Sequence, residues 1–292
     1  MKIDGHVHVF LPDSEAYPRT VDALAPKERS APVEVLLATM QEAGVDGAVL
    51  VPLGPEDLYV AECLARFPSR FVGVCVADDA MCGRSGDLRP EDALTRRIES
   101  GGFRGVRMNW LGDPARPLAE SPACPALRWM ADHQIVVWFY GPAPQLGLLA
   151  ELVKSYPDLK IVLNHLGFCP ETIGVDDHAR PHIEMALPPP TLAAVVELAR
   201  SPQVYVMFSG MYGFSHTEYP YRDLDDVVTA VYDAFGADRM FWASDFPWIL
   251  ERPGYNELLA LPDLHRPKLT ARELESIHGG TATAIFRGGW QQ

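Results

Sequence analysis

The chain has 292 residues, of which 48% are hydrophobic and 22% are charged, and it contains 23 Gly and 26 Pro. This composition is typical of a well-packed globular protein and excludes disordered, collagen-like and disulfide-stapled chains, while the length fits either two domains or one large α/β barrel. The formal charge of -14, from 25 Lys and Arg against 39 Asp and Glu, repels phosphate backbones and anionic lipid surfaces, so we expect a small-molecule substrate and neither nucleic acid nor membrane as a partner.

Short runs rich in β-branched and aromatic residues alternate with segments of helical spacing along the whole chain, which indicates repeated β-α units around a parallel sheet. Eight runs are predicted as strands: 2–9, 47–52, 71–77, 103–109, 135–140, 160–165, 204–209 and 240–245. The predicted helices are 32–43, 58–67, 90–100, 126–132, 146–156, 190–199, 223–235 and 270–286. Eight strands, each followed by a helix, is the pattern of a (β/α)8 TIM barrel.

Long loops are predicted after the first, sixth and eighth strands, at residues 12–30, 167–190 and 246–267. In a barrel these three loops emerge at the C-terminal face, where barrel enzymes place their active sites. The competing architecture, a doubly wound open sheet, normally has a Gly-rich phosphate turn after its first strand, and this chain has none there. We therefore expect one barrel domain over residues 1–292 with extended loops on its C-terminal face.

Two histidines lie near the end of the first predicted strand, in the sequence D-G-H-V-H at residues 4–8. Because side chains alternate along a strand, His6 and His8 point to the same side, and Val7 points toward the helices. Two neighbouring imidazoles at a barrel mouth form half of a divalent-metal site, which needs a further ligand from elsewhere in the chain. The alternative interpretation is a pair of hydrogen-bonded polar residues at a strand end.

Two further polar residues end apolar strands. The sixth predicted strand stops at His165 and the eighth at Asp245. A histidine or carboxylate at the end of a barrel strand lies at the catalytic rim, although Asp245 in particular also fits the role of a helix cap or loop hydrogen-bond acceptor. The agreement of four positions, at the same end of three strands, favours a site made of His6, His8, His165 and Asp245.

The motifs that contain these residues resemble one enzyme superfamily. D-G-H-V-H at residues 4–8, N-H-L-G at 164–167 and S-D-F-P-W at 244–248 closely resemble the amidohydrolase superfamily, in particular its lactonase branch, which includes 2-pyrone-4,6-dicarboxylate and sugar-acid lactonases. Further segments that resemble this family lie at 102–107, 204–210, 235–239 and 277–282, so the resemblance covers nearly the whole chain.

The resemblance implies a hydrolase that opens a lactone of a small carboxylated molecule, in the context of aromatic compound catabolism. It implies that His6, His8, His165 and Asp245 are catalytic and hold one divalent metal, zinc or manganese; catalysis without metal stays open, since known lactonases of this type differ in this respect. Asp245 is the expected base, with water activated either directly or at the metal. The histidines are expected to polarise the scissile carbonyl and stabilise the oxyanion.

The chain departs from the family pattern at two strands. Many amidohydrolases use a carboxylated Lys or a Glu on the fourth strand and a His on the fifth, whereas this chain offers Arg104, Arg107 and Asn109 on the fourth and Tyr140 at the end of the fifth. A two-metal centre therefore lacks its ligands. The missing fifth-strand His also disfavours the first alternative, a non-oxidative decarboxylase of a small aromatic acid; the second alternative is a barrel that only binds a ligand.

Residues for substrate binding are expected at the rim. An arginine fork pairs with a carboxylate and a tyrosine donates a hydrogen bond beside it, while a tryptophan supplies an apolar wall. Arg104 and Arg107 lie three positions apart and face opposite sides of a strand, and the resemblance and the rim position favour Arg107. The predicted substrate-binding residues are Arg107, Asn109, Tyr140, Arg222 and Trp248; for Arg180 and His216, as for Arg222, the sequence does not decide whether they reach the pocket.

The cysteines and the N-terminal residues bear on the compartment. The five cysteines are odd in number, scattered and without C-x-x-C spacing, which indicates reduced thiols. An acid and a histidine among the first six residues stand where a secretory signal needs an apolar segment. We therefore expect a cytoplasmic protein, and the sequence leaves a homo-oligomer open.

Overall fold

The central sheet consists of eight parallel strands that pair in chain order, as the barrel prediction requires. The computed structural model describes residues 1–86 and 88–290; residues 87, 291 and 292 of the predicted domain lie outside the described residues. The barrel strands are β1 (Ile3–Val7), β2 (Gly47–Leu50), β3 (Phe71–Val76), β4 (Phe103–Met108), β5 (Val136–Phe139), β6 (Ile161–Leu163), β9 (Val204–Phe208) and β10 (Met240–Trp242). A short antiparallel hairpin, β7 (Gly174–Val175) with β8 (Pro181–His182), lies in the loop after β6.

The first and last strands meet just beyond the end of β10. The His8 amide donates to the Phe246 carbonyl at 2.7 Å, and the Asp245 amide donates to the His6 carbonyl at 3.0 Å. These bonds join the two edges of the sheet, and the (β/α)8 TIM barrel prediction is confirmed. They also bring two predicted site residues, His6 and Asp245, next to each other through their backbones.

The helices lie between successive strands. The short helix α7 (Met211–Phe214) was not predicted, and two predicted segments were wrong. The predicted loop 246–267 was wrong because it contains helix α9, which the prolines at 253 and 262 concealed; Pro262 lies inside the helix. The predicted helix 270–286 is split into α10 and α11 by a wider turn at Ser276–Gly280, where two glycines interrupt the helix. The α-helices are α1 (Val33–Ala43), α2 (Leu58–Arg66), α3 (Pro90–Gly101), α4 (Cys124–Asp132), α5 (Leu146–Ser155), α6 (Leu192–Leu198), α7 (Met211–Phe214), α8 (Asp225–Phe235), α9 (Tyr255–His265), α10 (Ala271–Glu275) and α11 (Thr281–Ile285).

The core has two layers, one inside the barrel and one between the barrel and the helices. The layer between the barrel and the helices is the larger one, and Val7, Val9 and Val106 point outward into it. Strand alternation predicts this direction for Val7, in β1, and for Val9, two residues beyond it. The inner layer fills the barrel and is closed at the N-terminal ends of the strands by the C-terminal segment. Its members include Ile3, Val49, Val74, Trp138, Val162, Met207, Phe241, Ile285, Phe286 and Trp290.

An irregularity in β1 sets the direction of the two histidines. Ile3 points into the barrel, yet Val7, four residues later, points outward, so strict alternation is broken between them. The register of β1 against β2 shifts between Asp4 and Val7, as at a β-bulge, which adds one residue on one strand. The bulge turns His6 and His8 toward the barrel mouth.

None of the described helices is long and apolar enough to span a bilayer.

Candidate active site

Four predicted site residues meet at the C-terminal mouth of the barrel around the carboxylate of Asp245. Nε2 of His8 lies 3.4 Å from Oδ1 of Asp245, and Nε2 of His6 lies 3.6 Å from the same oxygen. Nε2 of His165 lies 4.0 Å from Oδ2. All four residues are buried. The prediction from strand ends therefore identified residues that the fold brings into contact.

Hydrogen bonds from the surrounding backbone and side chains orient two of the imidazoles. Nδ1 of His8 lies 2.8 Å from the Val51 carbonyl, which only accepts, so Nδ1 donates this hydrogen bond and Nε2 faces the site. Nδ1 of His165 lies 2.8 Å from Oγ of Ser209. Both rings thus turn Nε2 toward Asp245.

Tyr212, at the start of α7, is a site residue whose role the sequence does not indicate. Its hydroxyl donates to Oδ2 of Asp245 at 2.5 Å. Asp4 has a similar supporting position, since it accepts from the Ser244 amide at 2.9 Å and the Tyr255 hydroxyl at 2.7 Å. Burial raises the pKa of Asp4 to about 6. These contacts connect β1 to the segment that presents Asp245.

The electrostatics keep the Asp245 carboxylate charged and the imidazoles of His6 and His165 neutral. Burial alone raises the pKa of Asp245, but its attraction to His165, His8 and His6 is stronger and holds that pKa well below its usual range. Burial is the main reason that the pKa of His165 is lowered to about 4 and that of His6 lies well below its ordinary value. An ionised carboxylate beside neutral imidazole nitrogens suits metal binding, and it is in the charge state that a proton acceptor requires.

The backbone is strained at both strand ends that carry the site. His165 and Leu166 have φ of 46° and 56°, and Asp245 has φ of 63°, values that residues with a side chain adopt at a cost. Gly210, with φ of 75°, lies against the His165 ring; a Cβ there would be 2.6 Å from Nδ1 of His165. The absence of a side chain at Gly210 therefore leaves the space that the His165 ring occupies beside Ser209.

The donor set fits a divalent metal. Ligand atoms of His6, His165 and Asp245 lie within 4.8 Å of one another, and His8 lies beside Asp245. Nδ1 and Nε2 of His6 and Oδ1 of Asp245 are buried without a hydrogen-bond partner among the described residues, which is costly unless a further group satisfies them. Imidazole nitrogen with carboxylate oxygen is a ligand set that zinc and manganese accept.

A cavity of about 170 Å³ opens above these residues, and it contains some of the predicted binding residues. Arg107, Tyr140 and Trp248 line it together with His8, His165 and Asp245. The Arg107 guanidinium lies 5.0 Å from the centre of the Tyr140 ring, and burial lowers the pKa of Arg107. Burial also raises the pKa of Tyr140, whose hydroxyl therefore stays protonated and able to donate.

Three of the residues considered for binding lie elsewhere, and one lies beside the cavity. Asn109 lines an adjoining cavity that shares Arg107 and Tyr140 with the first. The prediction for Arg222 was wrong: its guanidinium donates to the Leu264 carbonyl at 2.9 Å at the surface. Arg180 is paired with Asp176 in the loop after β6. His216 is exposed and does not line the cavity.

The chain is similar to known proteins over most of its length. A family model described as amidohydrolase matches residues 3–288. The chain is 26% identical over 263 residues to L-fucono-1,5-lactonase of Burkholderia ambifaria. The aligned region covers 84% of this chain and 80% of the relative. A structure of a putative 2-pyrone-4,6-dicarboxylic acid hydrolase from Pseudomonas putida superposes with a TM-score of 0.72 at 22% identity, covering 100% of this chain and 98% of that one. An amidohydrolase from Burkholderia multivorans with bound zinc superposes with a TM-score of 0.71 at 20% identity, covering 98% and 99%.

Proposed function

This chain belongs to the amidohydrolase family, and from that premise we propose that it hydrolyses a lactone of a small carboxylated molecule. The observation that carries the proposal is the position of Oδ1 of Asp245 at the base of a cavity. This oxygen is ionised, buried, without a hydrogen-bond partner among the described residues, and within 3.6 Å of two imidazole nitrogens. The similarity to L-fucono-1,5-lactonase supports the same reaction class.

In this proposal Asp245 is the base. Its Oδ1 accepts a proton from the attacking water, the new C–O bond forms at the lactone carbonyl, and the ring C–O bond breaks. The proton on Asp245 then passes to the ring oxygen that leaves, so that the product is a hydroxy acid or its keto tautomer. Arg107 and the Tyr140 hydroxyl bind the substrate's carboxylate. A ring N–H of His6 or of His165, whose Nδ1 can accept from the Ser209 hydroxyl, stabilises the negative charge that develops on the carbonyl oxygen.

We further propose one zinc or manganese ion held by His6, His165 and Asp245, with His8 beside them. Such an ion supplies Lewis acidity that polarises the carbonyl and acidifies water. The structure of a zinc-bound amidohydrolase of the same fold supports this choice. Elemental analysis of the purified protein is expected to give about one zinc or manganese per chain, and a chelator is expected to abolish hydrolysis. Full activity in the metal-free protein would contradict the metal proposal and leave Asp245 as a direct base.

The function is tested by product analysis with wild type and Asp245→Asn. We expect wild type to convert 2-pyrone-6-carboxylate into the open acid without release of CO2. The Asp245→Asn variant should lower kcat by about 10²–10⁴ because it removes the proton acceptor, while the Kd for the open-chain product stays within threefold. Release of CO2 would support the decarboxylase instead, and an unchanged kcat would contradict the assignment of the base.

A further inference from the structure

The cavity above Asp245 is divided into a polar base and an apolar wall. The base consists of residues at the ends of barrel strands: His8, His165, Asp245, Arg107 and Tyr140. The wall comes from the long loops and from segments after β2 and β9. Its apolar residues are Leu24, Leu53, Ile173, Ile183, Phe214 and Trp248. A substrate with its carbonyl at Asp245 and its carboxylate at Arg107 therefore places the rest of its ring against hydrocarbon.

The cavity has a single cation for an acidic group. Among the described residues that line it, Arg107 is the one Lys or Arg. Two other guanidiniums lie behind lining rings and do not line the cavity themselves. Arg29 lies 4.8 Å from the centre of the Trp248 ring and donates to the Leu24 and Ala179 carbonyls, and Arg180 lies 5.6 Å from the centre of the Tyr212 ring and is paired with Asp176. The wall also carries a carboxylate, Asp22. A second carboxylate on the substrate would meet hydrocarbon and a like charge.

The wall also offers little to sugar hydroxyls. Asp22 is its one charged side chain among the described lining residues, and its Oδ1 already accepts from the Ala25 amide at 2.8 Å. Burying hydroxyls against Leu24, Ile183 or Phe214 removes their water without replacing its hydrogen bonds. An alkyl or aryl group in the same place loses no hydrogen bond and gains from burial.

We propose that the substrate is a lactone with one carboxylate and an apolar substituent, rather than a polyhydroxylated or dicarboxylated lactone. This inference rests on the proposed lactone hydrolysis and adds the substrate class. It separates this chain from the substrates that appear in the names of the two relatives, since a fuconolactone carries several hydroxyls and a pyrone dicarboxylic acid carries two acidic groups.

A series of three 2-pyrone-6-carboxylates tests the inference, with hydrogen, methyl or carboxylate at C4. Hydrolysis is followed by loss of the pyrone absorbance, and L-fucono-1,5-lactone is assayed by acid release. We expect kcat/KM to rise at least threefold from hydrogen to methyl and to fall at least tenfold from hydrogen to carboxylate, with the sugar lactone below the methyl compound. Preference for the dicarboxylate or the sugar lactone would overturn the substrate class alone. Hydrolysis of none of the four would overturn the proposed function and this inference with it.

A pair of matched variants tests whether the wall sets this preference. Ile173 and Val175 lie two positions apart beside or within β7 and are 43% and 37% exposed, but only Ile173 lines the cavity. Ile173→Arg adds a cation to the wall, and we expect it to raise kcat/KM for the dicarboxylate at least tenfold relative to the methyl compound. Val175→Arg adds the same charge outside the cavity and should leave that ratio within twofold. Equal ratios in both variants would overturn the inference.

Discussion

The carboxylate of Asp245 presents its two oxygens to different partners. Oδ2 accepts the Tyr212 hydroxyl at 2.5 Å, whereas Oδ1 is without a hydrogen-bond partner among the described residues and faces His6 and His8. A hydrogen bond to one oxygen fixes the orientation of the group and leaves the lone pairs of the other for chemistry. Oδ1 is therefore the oxygen that we assign to proton abstraction.

Tyr212 acts in this arrangement as a positioning residue. Tyr212→Phe keeps the ring and removes the hydroxyl, so Asp245 loses its orienting bond while the cavity keeps its shape. Hydrogen bonds to charged groups contribute about 1.5–3 kcal/mol, and we expect kcat to fall by about tenfold or more with KM within twofold. Steady-state kinetics on 2-pyrone-6-carboxylate measures the two constants separately.

Tyr140→Phe is the matched control for that variant. It also removes one phenolic hydroxyl from the cavity, but from the residue that lies beside Arg107, so we expect it to raise KM more than it lowers kcat. If both variants changed KM alike and left kcat alone, Tyr212 would be a binding residue and not a positioning one.

The site's polar residues were predictable to the extent that strand ends marked them. His165 and Asp245 end apolar runs, His6 and His8 alternate along the first strand, and a barrel brings the ends of its strands together at one face. Tyr212 gave no such signal, because its partner is 33 residues away and a tyrosine in a loop has many roles. Arg222 illustrates the opposite error: its local partner Asp225 and the Leu264 carbonyl hold it at the surface.

At the scale of elements, β1 shows what periodicity alone misses. Alternation predicted that His6 and His8 share a side, and they do, but it did not predict the bulge that reverses the direction of side chains after Ile3. In α9 the prolines that ordinarily end a helix concealed one. The bulge in β1 and the proline inside α9 are local deviations that tertiary packing tolerates. The hydrophobic pattern of the sequence does not reveal either of them.

The C-terminal segment is the element that closes the inner core, and its removal should cost stability. The Phe286 ring stacks on Trp138 with centroids 5.9 Å apart, and Trp138 in turn stacks on His6 at 6.1 Å. Phe286 is 4% exposed, so Phe286→Ala leaves a cavity beneath the barrel, and we expect the free energy of unfolding to fall by about 3–5 kcal/mol. Urea denaturation followed by tryptophan fluorescence measures it.

Arg287→Ala is the control for the closing segment. Arg287 is the next residue and is exposed, so the same truncation there removes no core contact and should change the free energy of unfolding by less than about 0.5 kcal/mol. A loss below about 1 kcal/mol in Phe286→Ala would mean that the segment unfolds independently of the barrel.

At the scale of the whole molecule, the closed order of strands brings together residues that lie far apart in the chain. His6 and Asp245 are joined where β1 meets the segment after β10, and His165 and Arg107 enter from β6 and β4. The alternation of strands and helices predicted this order, since consecutive β-α units pair with their neighbours. The side-chain distances that decide the substrate depend on the loops, whose paths follow no such rule.

The net charge of -14 opposes the approach of an anionic substrate, while the attraction of Arg107 is confined to the cavity. At 0.01 M salt the Debye length is about 30 Å and the substrate meets the field of the whole protein; at 0.15 M it is about 8 Å and the repulsion is screened more than the contact with Arg107. For 4-methyl-2-pyrone-6-carboxylate we therefore expect kcat/KM to rise about two- to threefold over this range. The neutral 4,6-dimethyl-2-pyrone should show no such change, which separates electrostatic approach from an effect of salt on the enzyme. A fall in kcat/KM with salt for the anion would contradict this account, because it would require the positive potential of Arg107 to extend beyond the cavity and outweigh the acidic surface.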